Sequence, residues 1–247
     1  MNLKIDLNCD MGEGCENDAE LMDHVSSANI ACGFHAGDAA TMKKTVETAL
    51  EKGVAIGAHP GYEDRENFGR MEMNLPLEKV YELVTEQLAA LNEVTTAAGG
   101  KLGHVKVHGA LYNQAARDPE LGAAIAEAVA NFDKGLVLFC LSGSPMIAEA
   151  EKKGLSTASE VFADRTYRND GSLTPRSQAN ALIHDGHESL SQVLDMIRYG
   201  RVRSTDGIMV PIVADTVCLH GDGEKALEFA ISINRALAKN NVEIAAL

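Results

Sequence analysis

The stretch Leu3-Lys4-Ile5-Asp6-Leu7-Asn8-Cys9-Asp10 alternates apolar and polar side chains, and in an extended strand successive side chains point to opposite faces. Leu3, Ile5 and Leu7 share one face; Asp6, Asn8 and Asp10 share the other, and this polar parity runs off the C-terminal end of the strand. The same division recurs downstream. Val54, Ile56 and Ala58 oppose Ala55, Gly57 and His59; Val105 and Val107 oppose Lys106 and His108; Val217 and Leu219 oppose Cys218 and His220. Short apolar or β-branched runs near Leu3–Leu7, Asn29–Cys32, Val54–Ala58, His104–Val107, Leu136–Cys140, Ser156–Phe162 and Thr216–Leu219 alternate with helical patterns. Such βα repetition builds a parallel sheet, and seven units predict an α/β fold with a closed or nearly closed barrel. Helices cover the outside of a parallel barrel, so the apolar parity is expected to face them and the polar parity to point inward.

The helical segments carry their own signals. From Leu77 to Leu91 the apolar positions Leu77, Val80, Tyr81, Val84, Leu88 and Leu91 form one stripe with a period of 3.6. Asp118-Pro119 reads as a cap followed by a first-turn proline, and Gly53, Gly99, Gly135, Gly154 and Gly200 fall where helices should stop. No linker or low-complexity tract interrupts residues 1–247, which are expected to form a single barrel domain.

Composition narrows the function classes. Of the 247 residues 45% are hydrophobic and 4% aromatic, without tryptophan, and the net charge is −14. Base-stacking platforms are scarce and the overall field repels phosphate backbones and anionic membranes, so neither nucleic acid nor a membrane is an expected partner. The N-terminus has no apolar run of signal-peptide length. Five widely spaced cysteines without a C-x-x-C pair read as reduced thiols in a cytoplasmic protein.

The chemistry collects after the strands, in NCDMGEG, GFHAGD, AHPGYEDR, HGALYNQ, EVFADRTY and HGDGE. In a parallel barrel these loops meet at the C-terminal mouth, where active sites form. Any single histidine is ordinarily a hydrogen-bonding residue, but His35, His59, His108 and His220 all follow strands. Gly221-Asp-Gly223-Glu-Lys-Ala226 fits G-x-G-x-x-A, yet the chain ends about where the acidic ribose-binding residue would be needed. Its backbone N–H groups are instead expected to hold an anionic oxygen or phosphate at Gly221 and Gly223. No G-x-x-x-x-G-K-[ST] occurs. Divalent metal is a rival use of the same imidazoles and carboxylates, although H-E-x-x-H is absent.

The segments DLNCDMGEG from Asp6, NIACGFHAGD from Asn29, GVAIGAHPGY from Gly53, HVKVHGALYNQ from His104, EVFADRTY from Glu160, DGSLTPR from Asp170 and TVCLHGDG from Thr216 closely resemble the LamB/YcsF family, understood as the A subunit of bacterial ATP-dependent 5-oxoprolinase. Val107 stands where the family usually has proline. The resemblance implies a seven-stranded (β/α) TIM-like barrel of the glycoside hydrolase/deacetylase type. It also implies opening of 5-oxo-L-proline to L-glutamate coupled to ATP, with magnesium, in a complex with B and C subunits. For that chemistry Asp10 and His59 or His108 are assigned to proton transfer, and Lys106 and His220 to charge stabilisation. Arg165 and Arg176 are assigned to anion binding, and Asn8, His35 and Glu160 to the substrate. A metal-dependent deacetylase or carbohydrate hydrolase, or a non-catalytic regulatory subunit, would use the same fold.

Overall fold

A computed structural model describes residues 3–220 and 226–247. Seven parallel strands, β1 (Leu3–Met11), β2 (Ser27–Ala31), β3 (Ala55–His59), β4 (Leu102–Val105), β5 (Val137–Leu141), β6 (Ser156–Phe162) and β9 (Thr216–His220), pair in that order. Pairing of β9 with β1, from Asp6 opposite Thr216 to Asp10 opposite His220, closes the barrel. All seven predicted strands are present. Three short ones were not predicted. The hairpin of β7 (Arg201–Arg203) and β8 (Met209–Pro211) lies outside the barrel, and β10 (Val242–Ile244) pairs with the start of β1.

The helices are α1 (Asp18–Leu21), α2 (Ala39–Lys52), α3 (Leu77–Ala97), α4 (Gly109–Ala115), α5 (Pro119–Phe132), α6 (Pro145–Lys152), α7 (Gly186–Tyr199) and α8 (Ala226–Lys239). Asp118 caps α5 as expected, accepting from the amides of Glu120 and Leu121 ahead of Pro119. Gly53 and Gly200 end α2 and α7 at φ of 68° and 58°, a left-handed geometry that glycine adopts without a Cβ penalty. Within α3 the stripe of Val80, Val84, Leu88 and Leu91 is buried, whereas Leu77, at the first position of the helix, stays exposed. No helix among the described residues is long and apolar enough to cross a membrane.

The two strand parities separate as the alternation requires. Ile5, Leu7, Val105, Val107, Val217 and Leu219 join one buried apolar layer with the α3 stripe and with Ile233 and Leu237 of α8. The polar parity fills the barrel. Asp6 accepts from the hydroxyls of Ser26, Ser27 and Thr216 at 2.5–2.7 Å. Asn8 donates to Thr216 and Glu160, Asn29 donates to Asn8 and Asp10, and His104 Nε2 lies 2.8 Å from the Asn29 carbonyl oxygen. An unpaired buried polar group costs about 1–3 kcal/mol. In this network these donors and acceptors satisfy one another, whereas Glu160 Oε2 has no hydrogen-bond partner among the described residues. The His104 ring crosses directly over Gly57, where a Cβ would sit 2.0 Å from Nε2.

Regular pairing of β4 ends at Val105, two residues earlier than predicted. A register shift lies between Ile56 and Gly57, and the Lys106 and His108 amides then donate to Ala58 and Pro60 carbonyls beyond the ladder. This irregular step carries both side chains to the mouth.

Candidate functional site

Asp10 comes from the end of β1, His59 from the end of β3, Lys106 and His108 from the segment after β4, and His220 from the end of β9. They line one cavity of about 480 Å³ at the C-terminal mouth. The side wall is the segment 163–185, which contributes Arg165, Arg168 and Arg176 to the lining; Arg70 and Tyr112 complete the opposite side.

Lys106 is the centre of the floor. Its Nζ lies 2.8 Å from Asp10 Oδ1, 3.0 Å from Glu160 Oε1 and 3.0 Å from Cys218 Sγ, and it sits 5.4 Å over the Phe162 ring. Burial pulls the ammonium down, but Asp10, Cys218 and Glu160 outweigh it and hold Lys106 well above the usual range. The converse holds for Asp10: burial raises its carboxyl, and His59 and Lys106 together bring it well below the carboxylate range. Asn8 and Glu160 are wholly buried beneath Lys106 and do not line the cavity. The sequence placed them on the substrate; in the structure Asn8 lies 3.4 Å and Glu160 3.0 Å from Lys106 Nζ.

The imidazoles form a tight group. His59 Nε2 and His108 Nδ1 are 2.9 Å apart, with rings near perpendicular. His35 stacks on His108 at 3.8 Å, and Glu13 Oε1 lies 3.1 Å from His35 Nε2, 3.2 Å from His108 Nδ1 and 3.7 Å from His59 Nε2. His35, expected from the sequence to contact substrate, is buried against His108 and is not among the residues that line the cavity. Gly61 and Gly69 permit the stack, since a Cβ at either would fall 2.8 Å from a His35 atom. Phe68 adopts φ of 57°, and its carbonyl oxygen lies 2.9 Å from His108 Nε2. His59 Nδ1 lies 2.7 Å from the Lys106 carbonyl oxygen. Because carbonyls only accept, both outer nitrogens carry hydrogen, and in neutral rings the two inner nitrogens face each other as lone pairs.

Burial pushes His35 down to about 4 and lowers His108. For His59 burial acts downward too, but the Asp10 carboxylate outweighs it and raises the group. Burial raises Glu13, and the adjacent His108 and His35 rings overcome this to leave it below the usual range.

Across the mouth His220 Nδ1 lies 2.9 Å from both oxygens of Asp164, whose carboxyl His220 lowers against the opposing effect of burial. Since Nδ1 faces a carboxylate, it carries the hydrogen. The neutral ring then offers Nε2 as a base. Arg165 is largely committed to the fold: it donates to the Thr174 and Ala181 carbonyls, and burial pulls it down to about 10. Arg176 lines the cavity as expected. Gly221 and Gly223 lie outside the described residues. Glu13 and Asp164 were not singled out from sequence, although DMGEG and EVFADRTY contain them; their acidic type just after β1 and β6 was the available signal.

Comparison with protein families matches residues 5–247 to the LamB/YcsF family. The chain belongs to the LamB/YcsF family. A lactam utilization protein from Thermus thermophilus is 43% identical, with a TM-score of 0.92 over 99% of this chain and 100% of that one. Two more distant structures share the barrel of this LamB/YcsF protein. They are a putative cellobiose-phosphate cleavage protein from Enterococcus faecalis (14% identity, TM-score 0.57, 99% and 97% covered) and the T48 deacetylase with substrate (13%, 0.55, 99% and 88%). The LamB/YcsF fold is thus a closed seven-stranded TIM-like barrel with glycoside hydrolase- and deacetylase-like neighbours, and the family ties the chain to the 5-oxoprolinase system.

Proposed function

We propose that the chain opens the lactam of 5-oxo-L-proline to L-glutamate as the A subunit of an ATP-coupled assembly with B and C subunits. The observation that carries this reading is the convergence of a buried cation, Lys106, an oriented His220–Asp164 pair and the arginines of segment 163–185 on one cavity. The kinship with a lactam utilization protein supports the substrate class.

A five-membered lactam is an unreactive amide. Phosphorylation of its carbonyl oxygen by ATP supplies a leaving group and sharpens the carbon for attack. His220 Nε2 then removes a proton from water as its oxygen bonds to the carbonyl carbon, and Asp164 stabilises the imidazolium that forms. Lys106 offsets the developing negative oxygen. The ring C–N bond breaks and the nitrogen takes up a proton to leave as the free amine, which gives an acyl phosphate. A second water then adds to its carbonyl carbon, the carbon–oxygen bond to phosphate breaks, and L-glutamate and phosphate are released. Arg176 and Arg168 hold the substrate carboxylate and the phosphoryl group. Proton transfer falls to His220 in this reading because the outer nitrogens of His59 and His108 donate to backbone carbonyls and their inner nitrogens face each other at 2.9 Å.

ATP, with magnesium, is the co-substrate of the assembly and is held by the partner subunits, since this chain carries no P-loop sequence. The reducing, ATP-rich cytoplasm suits both this coupling and the five cysteine thiols. A coupled ADP assay beside glutamate detection tests the reading with the chain alone, the partners alone and the mixture. Only the mixture is expected to form ADP and glutamate, in step. ATP-dependent glutamate release by the chain alone would remove the partner requirement, and ATP-independent release would make it a simple amidohydrolase.

A further inference from the structure

The inner face of the histidine cluster brings three imidazole nitrogens and one carboxylate oxygen together. His59 Nε2, His108 Nδ1, His35 Nε2 and Glu13 Oε1 all lie within 4.8 Å of one another, and the closest separations among them are 2.9, 3.1, 3.2 and 3.7 Å. Zinc–nitrogen and zinc–oxygen bonds of roughly 2.0–2.2 Å place the ligand atoms of a tetrahedron about 3.3 Å apart, in the middle of that range. The outer nitrogens of His59 and His108 donate to the Lys106 and Phe68 carbonyls. That is the arrangement by which metal-bound imidazoles are oriented and their inner nitrogens kept as lone pairs.

We propose that Glu13, His35, His59 and His108 bind one divalent transition-metal ion of the zinc class in a tetrahedral site. Three nitrogens and one carboxylate oxygen suit zinc or cobalt(II) better than magnesium or calcium, which prefer oxygen shells. The four ligands follow four consecutive strands, β1 to β4, so the ion ties together the ends of adjacent barrel staves. With every coordination position supplied by the chain, its part is structural. It leaves Lys106 and the His220–Asp164 pair free for chemistry, and the site stands independently of the lactam reading.

The test uses the full chain, freed of metal by a chelator and titrated with cobalt(II) and, separately, zinc(II). The expected result is one equivalent of either ion, an intense visible absorption of tetrahedral cobalt(II) that zinc displaces, and a Tm higher by several degrees with metal bound. Glu13→Gln, which keeps side-chain size, should weaken binding at least tenfold, and His108→Ala should abolish the cobalt spectrum. Should His108→Ala fail to fold, the wild-type spectrum and Glu13→Gln decide. No stoichiometric binding, a weak six-coordinate cobalt spectrum, or unchanged affinity in Glu13→Gln would overturn the site and leave a shared proton between His59 and His108. Metal binding without glutamate formation by the assembly would sink only the lactam reading; glutamate formation by a chain that binds no metal would sink only this one.

Discussion

Asp164 faces His220 with both carboxylate oxygens, each 2.9 Å from Nδ1. A base held this way keeps one tautomer and one ring orientation. Asp164→Asn keeps the shape but loses the charge that favours the imidazolium, so turnover by the assembled complex should fall by about 10²–10⁴-fold. The thermal midpoint should move little. Turnover within threefold of wild type would exclude His220 as the base.

Lys106→Met should be costly to the fold as well as to activity. It leaves Asp10 and Glu160 buried without their shared cation, and breaking a buried ion pair from one side costs about 3–5 kcal/mol. For a chain of this size calorimetry should show a Tm lower by roughly 10 °C. Adding Glu160→Gln should recover part of that loss; a further fall on adding it would contradict the pairing.

Gly57→Ala tests the packing of the barrel interior. The added Cβ would meet His104 Nε2 at 2.0 Å, and that ring is backed by Phe139, stacked 4.3 Å away. Overpacking of this kind costs about 1–3 kcal/mol or more. The double variant Gly57→Ala/His104→Ala is expected to be more stable than Gly57→Ala alone, as measured by urea unfolding. Additive losses would show that the two positions do not collide.

His104 also sets a pH dependence. Burial holds its folded-state value down to about 3, against about 6.5 unfolded. The folded chain therefore resists protonating it. This contribution is complete above about pH 6.5 and is lost as pH falls towards 3, at up to about 1.4 kcal/mol per pH unit. His104→Gln keeps a donor for Asn29 and removes the titration, so its stability relative to wild type should improve steadily from pH 7 to pH 4. A constant difference across that range would refute the assignment.

Alternation in Leu3–Asp10 and its counterparts made the barrel legible, because a buried outer face and a polar interior leave a period of two in the residues themselves. The three-residue strands β7, β8 and β10 are too short to show any period. The site was legible by residue type but not by depth. Asn8, Glu160 and His35 have the chemistry of substrate contacts, yet lie one layer below or behind the surface that meets a substrate. Arg165 looked like an anion binder and is spent on two carbonyls. Asp164 acquires its partner only when β6 and β9 become neighbours, 56 residues apart in sequence. Glu13 likewise needs the ends of β1 to β4 brought together.

The wall formed by segment 163–185 is braced by short bridges, Arg165 with Leu182 and Tyr167 with Leu173 and Ser204, and by the Tyr167 hydroxyl, which accepts from the Phe162 amide. It is one continuous piece of chain, whereas the floor is assembled from strand ends scattered from Asp10 to His220. Floor and wall are therefore separate in the chain. A change confined to that single segment beyond Asp164 would reshape what the cavity admits while Lys106, the imidazoles and the His220–Asp164 pair keep their places.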